Sequence, residues 1–118
     1  MNKKADLIEI AVKNHVEGLL DAPVYFEYPE EDIPEYFVIL DRTAGSRENQ
    51  IMTGTFLVQS YGPNKLAAAM LHQLAKEAMD KLCELARISA CELIGDYPFP
   101  DTKHKRHRYQ AVYEITYY

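Results

Sequence analysis

Residues 51–87 have the sequence IMTGTFLVQSYGPNKLAAAMLHQLAKEAMDKLCELAR, which predicts a strand that turns sharply into one long helix. In the first part of this stretch, apolar side chains at Met52, Phe56 and Val58 alternate with polar ones. Such alternation, in a run rich in β-branched and aromatic residues, is typical of a half-buried strand. The tripeptide at residues 61–63, Tyr-Gly-Pro, marks the turn.

The helix after this turn is expected to organise the core. Pro63 fits its first turn, where a missing N–H costs nothing, and Gly62 or Ser60 can cap it. We expect it to continue to about Arg87, which would make it roughly 35 Å long. Its apolar residues recur at spacings of three and four, so we expect one wide buried stripe. The stripe consists of Leu66, Ala67, Met70, Leu71, Leu74, Ala75, Ala78, Leu82 and Leu85.

Length and composition predict a single domain over residues 1–118. The chain is 47% hydrophobic and 26% charged, as in soluble globular proteins. No apolar run approaches the roughly 18 residues of a membrane span, and the first residues do not read as a signal peptide. We therefore expect a cytosolic protein that is not bound to a membrane. We also expect Cys83 and Cys91 to be reduced thiols that pack in the interior.

The remaining elements follow from periodicity and breakers. A helix is expected from about Ala5 to Leu20, because Pro23 prevents it from continuing. Short strands are expected at 24–28, 36–40 and 90–94, and a final strand at 109–118. Residues 42–50 are small, polar and aperiodic, so we expect a flexible hairpin loop there. The order α-β-β-β-α-β-β predicts an α+β fold, a mainly antiparallel sheet with two helices on one face.

The final strand contains four of the nine tyrosines. Alternation places Tyr109, Tyr113 and Tyr117 on one side of this strand. Tyrosine has a large apolar ring and a polar tip, so this stripe suits either a sheet face under a helix or a contact between subunits. Spacing alone does not decide between the two.

Two segments of opposite charge stand out in a chain of net charge −5. Five acidic residues lie between Glu27 and Glu35, where Pro29 and Pro34 prevent regular structure, so we expect an exposed acidic loop. It is either a solvated connection or a docking surface for a basic partner. Residues 103–108, KHKRHR, form a basic segment. We hypothesise that the two segments meet between copies of the chain, a head-to-tail contact that can close a ring.

The sequence contains little that points to chemistry. It has no glycine-rich phosphate loop and no Ser, His and Asp set in a recognisable motif. His104 and His107 have a spacing found in metal sites, but four cations surround them and would oppose a metal ion. His15 is expected to be a boundary residue with a satisfied ring. We therefore expect no enzyme, no cofactor and no metal.

The order of several segments resembles small tail-terminator or tail-completion proteins of long-tailed bacteriophages and prophages. The resemblance rests on residues 36–47, YFVILDRTAGSR, on the small-residue helix from Leu66 to Met70, and on the turn at 97–101, YPFPD, that leads to Arg108-Tyr109-Gln110. It covers nearly the whole chain. The density of Lys and His at 103–107 departs from the pattern.

The resemblance implies a structural role in virion assembly. Proteins of this kind form a ring, thought to be hexameric, that caps the tail tube and faces the head connector. Its implied partners are copies of itself, the tail tube protein and the head connector protein, with DNA at most passing through. The resemblance also implies assembly in the host bacterial cytoplasm and a final location in the virion tail. The residues assigned to these contacts are Glu30, Glu31, Asp32, Glu35, Arg42, Arg47, Lys103, Lys105, Arg106 and Arg108.

Two other classes of function stay open from the sequence. A nucleic-acid-binding accessory protein would use the basic segment at 103–108 for phosphate contacts. An enzyme or a small-ligand protein would need a deep pocket with converging polar groups.

Overall fold

The computed structural model describes residues 7–118, which form two helices and five strands. In chain order the elements are α1 (Ile8–Leu19), β1 (Val24–Tyr25), β2 (Phe37–Glu48), β3 (Ile51–Gly62), α2 (Lys65–Asp80), a short 3-10 turn (Leu82–Glu84), β4 (Ile88–Pro98) and β5 (His107–Tyr117). The sheet has the order β1-β2-β3-β5-β4, and every pair except the parallel β1–β2 is antiparallel. The predicted α+β class is confirmed. The first helix begins at Ile8, so its predicted start at Ala5 lies outside the described residues.

Both helices pack on one face of the sheet, as predicted. The alternation in β3 and β5 holds: Phe56 lies opposite Tyr113, and Met52 lies opposite Tyr117. Phe56 and Tyr113 are fully buried, and Tyr117 is buried beside them in the same core cluster. The tyrosine stripe of the last strand is therefore a sheet face under a helix. The same cluster takes in Ile8, Val12 and Val16 of α1 and Leu71, Ala75, Ala78 and Met79 of α2.

The apolar stripe predicted for the second helix is only partly buried: Ala67, Leu71, Ala75, Ala78 and Leu82 lie in the interior. The helix faces the sheet with small residues, since Ala68 and Ala75 are fully buried. Leu66, Met70 and Leu74 are 71%, 62% and 53% exposed. Together with Leu71 and Met79, these alanines fill the core above the sheet, whereas Leu66, Met70 and Leu74 lie on the other side of the helix and point outward.

The second helix is also shorter than predicted. It has 16 residues, about 24 Å, and ends at Asp80. A 3-10 turn at Leu82–Glu84 follows, which brings the chain back to β4. Asn64 caps the helix in place of the predicted Gly62 or Ser60, because its side-chain oxygen accepts a hydrogen bond of 2.8 Å from the N–H of Ala67.

The prediction of a flexible loop at residues 42–50 is wrong as well. Strand β2 continues to Glu48, with a bulge between Arg42 and Ala44, and pairs with β3 up to Ile51. The turn consists of Asn49 and Gln50, both with positive φ (50° and 67°), as in two-residue hairpin turns that match the strand twist. Small polar residues adopt strand structure here because β3 provides a complete ladder of partners.

Other parts of the prediction need smaller corrections. Strand β1 covers only Val24–Tyr25 of the expected 24–28, whereas β4 is longer than expected. Both cysteines are free thiols, but Cys83 is exposed and only Cys91 is packed. Burial raises the pKa of Cys91 to about 12, and its Sγ lies 3.5 Å from the carbonyl oxygen of Met79.

Two histidines have buried ring nitrogens without a hydrogen-bond partner within residues 7–118, although Nε2 of His72 lies 3.9 Å from the Asp96 carboxylate. The Nε2 atom of His15 is one, so the expectation of a satisfied ring is wrong. Both nitrogens of His72, a buried residue of α2, are the others. Burial and the neighbouring charge of Lys76 lower the pKa of His72, which keeps its ring neutral at pH 7.

Gly62 marks the closest approach of the sheet to α2. A Cβ atom at this position would lie 2.6 Å from the backbone N of Ala68 and 2.9 Å from the carbonyl carbon of Ala67. Gly62→Ala should therefore lower the free energy of unfolding by about 1–3 kcal/mol in urea titrations. Gly18→Ala is the control, because its Cβ would meet no atom within 4 Å and alanine favours a helix by up to about 1 kcal/mol. A Gly62→Ala variant as stable as the wild type would contradict this packing.

Candidate functional site

An apolar groove lies between the end of α1 and the first half of α2. Leu66, Met70 and Leu74 form its α2 side, and we call these three residues the α2 ridge. Leu19 and Tyr36, both exposed, extend the same surface. The groove has a volume of about 580 Å³, and Asp21 is the one charged residue in its lining. Contiguous exposed apolar surface of this kind is typical of protein–protein contact sites.

The acidic loop next to this groove is exposed, as predicted. Glu30, Glu31, Asp32 and Glu35 are all exposed and take part in no salt bridge within residues 7–118. Asp32 has a positive φ of 50°. The loop therefore presents four carboxylates to solvent or to a partner.

The basic segment is folded into a compact turn. The backbones of Asp101 and Arg106 exchange two hydrogen bonds of 3.0 Å, and Lys105 has a positive φ of 55°. The Arg106 guanidinium donates to the carbonyl oxygen of Glu35 at 2.7 Å and lies 5.4 Å from the centre of the Phe37 ring. One predicted interface residue thus fastens the basic turn to the acidic loop of the same chain.

Asp101 is the centre of a buried polar cluster. Its carboxylate accepts hydrogen bonds from the Tyr61 hydroxyl at 2.7 Å and from the backbone N–H of His104 at 3.1 Å. The Nδ1 atom of His104 lies 2.8 Å from it, and Arg108 is 3.7 Å away. Burial opposes ionisation of Asp101, but the hydrogen bonds from Tyr61 and His104 and the charge of Arg108 outweigh it and lower its pKa. Burial and the hydrogen bond to Asp101 raise the pKa of Tyr61, so its hydroxyl stays protonated.

Aromatic rings surround this cluster on the sheet face opposite the helices. The ring of Tyr28 stacks on His104 with centroids 3.6 Å apart and makes edge contacts with Phe37 and Tyr61. Phe37 and Tyr61 stack on each other at 4.4 Å. Together with Ile39 they form a second, smaller core that holds the acidic loop and the basic turn against the sheet.

The chemistry of this cluster is that of a structural lock. It lines a shallow concavity of about 470 Å³ together with Gln59, Thr102 and Lys103. The donors of Tyr61 and Arg108 are directed at Asp101 and at each other, since Arg108 also donates to the Tyr61 hydroxyl at 3.1 Å. The pair Asp101 and His104 was visible in the sequence as an acidic residue three positions before a histidine in a turn. The contribution of Tyr61, 40 residues away, carries no local signal.

The structure separates the ten predicted interface residues into two groups. Arg106 and Arg108 bond within the chain, and Arg42 pairs with Glu9 of α1 at 3.3 Å. The contact between basic and acidic segments that was expected between copies is therefore made partly inside one subunit. The other seven are exposed and form no salt bridge within the described part of the chain: Glu30, Glu31, Asp32, Glu35, Arg47, Lys103 and Lys105.

Within residues 7–118, no group of three or more His, Cys, Asp or Glu side chains is placed to hold a metal ion. Over the same residues, no helix combines the length and apolar character needed to cross a membrane. A scan of protein-family models gives no match to the chain, and no curated protein matches it significantly.

Removing the charge of Asp101 should loosen the lock. Asp101→Asn is expected to lower the free energy of unfolding by about 1–3 kcal/mol at pH 7, because a buried charged acceptor is lost. The pKa of Asp101 is lower in the folded chain than in the unfolded one. Its stabilisation is therefore complete above about pH 5 and is lost as the pH falls through about 4 and below.

Urea unfolding of the wild type and of Asp101→Asn from pH 7 to pH 3 measures this effect, and the difference should shrink towards low pH. Asp41→Asn is the matched control, because Asp41 is exposed and in no salt bridge within the described residues. An equal loss in both variants, or a difference that does not vary with pH, would argue against the lock.

Proposed function

We propose that this chain is a structural subunit that assembles with copies of itself into a ring, as the resemblance to tail-terminator proteins implies. In this role it caps a phage tail tube, contacts the head connector on the other side and lets DNA pass through. It is made in the host bacterial cytoplasm and ends in the virion tail. The observation that carries the proposal is the α2 ridge, an uncovered apolar surface on a small and otherwise well-packed domain.

The ridge is large enough to contribute to association. Full burial of one leucine or methionine side chain is worth about 1.5–3 kcal/mol, so three such residues are a substantial apolar contribution. Part of it offsets the entropy lost on association. The alanines on the other side of α2 already fill the core, so no rearrangement within the subunit is needed to explain the ridge.

A second copy of the chain is the occupant that we propose for this surface. The acidic loop ends next to Tyr36, which lines the groove, and its four carboxylates form no salt bridge within residues 7–118. Elsewhere on the same chain, Lys65, Lys105 and His107 line a concavity of about 530 Å³. Arg106 joins the two segments within the chain, but the acidic carboxylates and Lys105 take part in no salt bridge within residues 7–118, and such free opposite charges favour contact between copies.

The structure weakens the case for nucleic-acid binding by the basic segment. Arg106 and Arg108 donate to carbonyl oxygens of Glu35 and Phe99, which leaves Lys103 and Lys105 as its freely exposed cations. Two lysines neutralise few phosphates. We propose no catalytic role, because the polar cluster around Asp101 is bonded internally.

Sedimentation velocity over a range of concentrations tests the proposed assembly. The wild type is expected to associate reversibly, and Leu66→Glu and Leu74→Glu should each weaken the association at least tenfold, about 1.4 kcal/mol, because a charge would enter the apolar contact. Leu7→Glu is the matched control, since Leu7 is also half exposed but lies outside the groove.

Sedimentation at low and high salt separates the charged contribution to association from the apolar one. Charge pairing weakens from about 0.05 M to 0.5 M salt, whereas the apolar part does not. A wild-type protein that stays monomeric at high concentration in both salts would contradict self-assembly by the chain alone.

A further inference from the structure

The outer edge of β2 is open over most of its length. Strand β1 pairs only with Val38 and Ile39, and the N–H of Val38 donates to the carbonyl of Pro23. From Asp41 to Glu48, no described residue pairs with this edge. Backbone donors and acceptors on such an edge are free to bind another strand.

The opposite edge of the sheet, formed by β4, is open too. Within the described chain, β4 forms a ladder only with β5. Leu93 and Ile94 are 42% and 57% exposed on this edge. An exposed edge strand with apolar residues is the kind of surface that recruits a further strand.

We propose that β2 of one copy pairs with β4 of the next, so that the sheet continues from subunit to subunit. This inference rests on the proposed assembly and specifies how its subunits join. The regular parts of the two edges are of similar length: Ala44–Glu48 lies between the bulge and the hairpin turn on β2, and Ala90–Leu93 lies between two bulges on β4.

Charge favours the pairing of unlike edges. Two β4 edges would bring Glu92 of each copy together, with no basic residue in that strand to compensate. The β2 edge carries Arg47 and Glu48, both exposed and in no salt bridge within residues 7–118, so it offers a cation that the β4 edge lacks. Pairing of unlike edges is a heterologous contact, and a heterologous contact closes into a ring when its rotation permits.

Hydrogen exchange measured by mass spectrometry tests this pairing directly, because a strand added to an edge protects its amide hydrogens. The full chain is compared at concentrations below and above the onset of association. Peptides covering residues 41–48 and 89–98 should both exchange at least tenfold more slowly in the associated state. Association without protection at these two edges, for example with protection confined to the α2 ridge, would overturn the edge pairing and leave the proposed assembly intact.

Lysine substitutions on the β4 edge provide a second test of the pairing. The double variant Leu93→Lys, Ile94→Lys places charges on an exposed edge without touching the core, so its circular dichroism should match the wild type. It should lose the protection at both edges, whereas Leu7→Lys should keep it. Unchanged protection in the double variant would overturn the pairing. A wild type that never associates would overturn the proposed assembly and this inference together.

Discussion

The close packing of α2 on the central strands determines how the rest of the chain is arranged. Ala68 and Ala75 face the sheet, and the rings of Phe56 and Tyr113 fill the layer between them. Gly62 permits this approach, because any side chain there would meet the backbone of the helix. Leu71 and Met79 complete the buried face of α2, so Leu66, Met70 and Leu74 lie on its solvent side. The uncovered ridge is therefore a consequence of how the core is built.

A second arrangement keeps the charged loops in fixed positions. Arg106 holds the basic turn against the acidic loop, and Asp101 joins Tyr61, His104 and Arg108 below it. The charged groups that bond to one another in this lock are not available to a partner. The charges that stay exposed, the acidic carboxylates and two lysines, lie on surfaces whose orientation the lock defines. A rigid body with fixed charged loops is what a ring subunit with several neighbours requires.

The sequence was sufficient for the fold class, because alternation in β3 and β5 and the proline turn at Pro63 are local signals. The sequence did not show which face of α2 is buried. Leu66 and Ala68 belong to one broad apolar pattern, and only packing against the sheet determines which of them is buried. The hairpin at 42–50 was predicted, but its strand structure was missed because these residues have weak strand propensity without the partner strand. The intramolecular role of Arg106 was missed because its partner is 71 residues away in the chain.

We propose that the chain binds copies of itself in a closed arrangement. Native mass spectrometry of the concentrated protein measures the number of subunits directly, as multiples of 13.6 kDa. We expect one dominant ring stoichiometry in equilibrium with the monomer. A monomer alone, or an open-ended ladder of sizes without a preferred number, would contradict it.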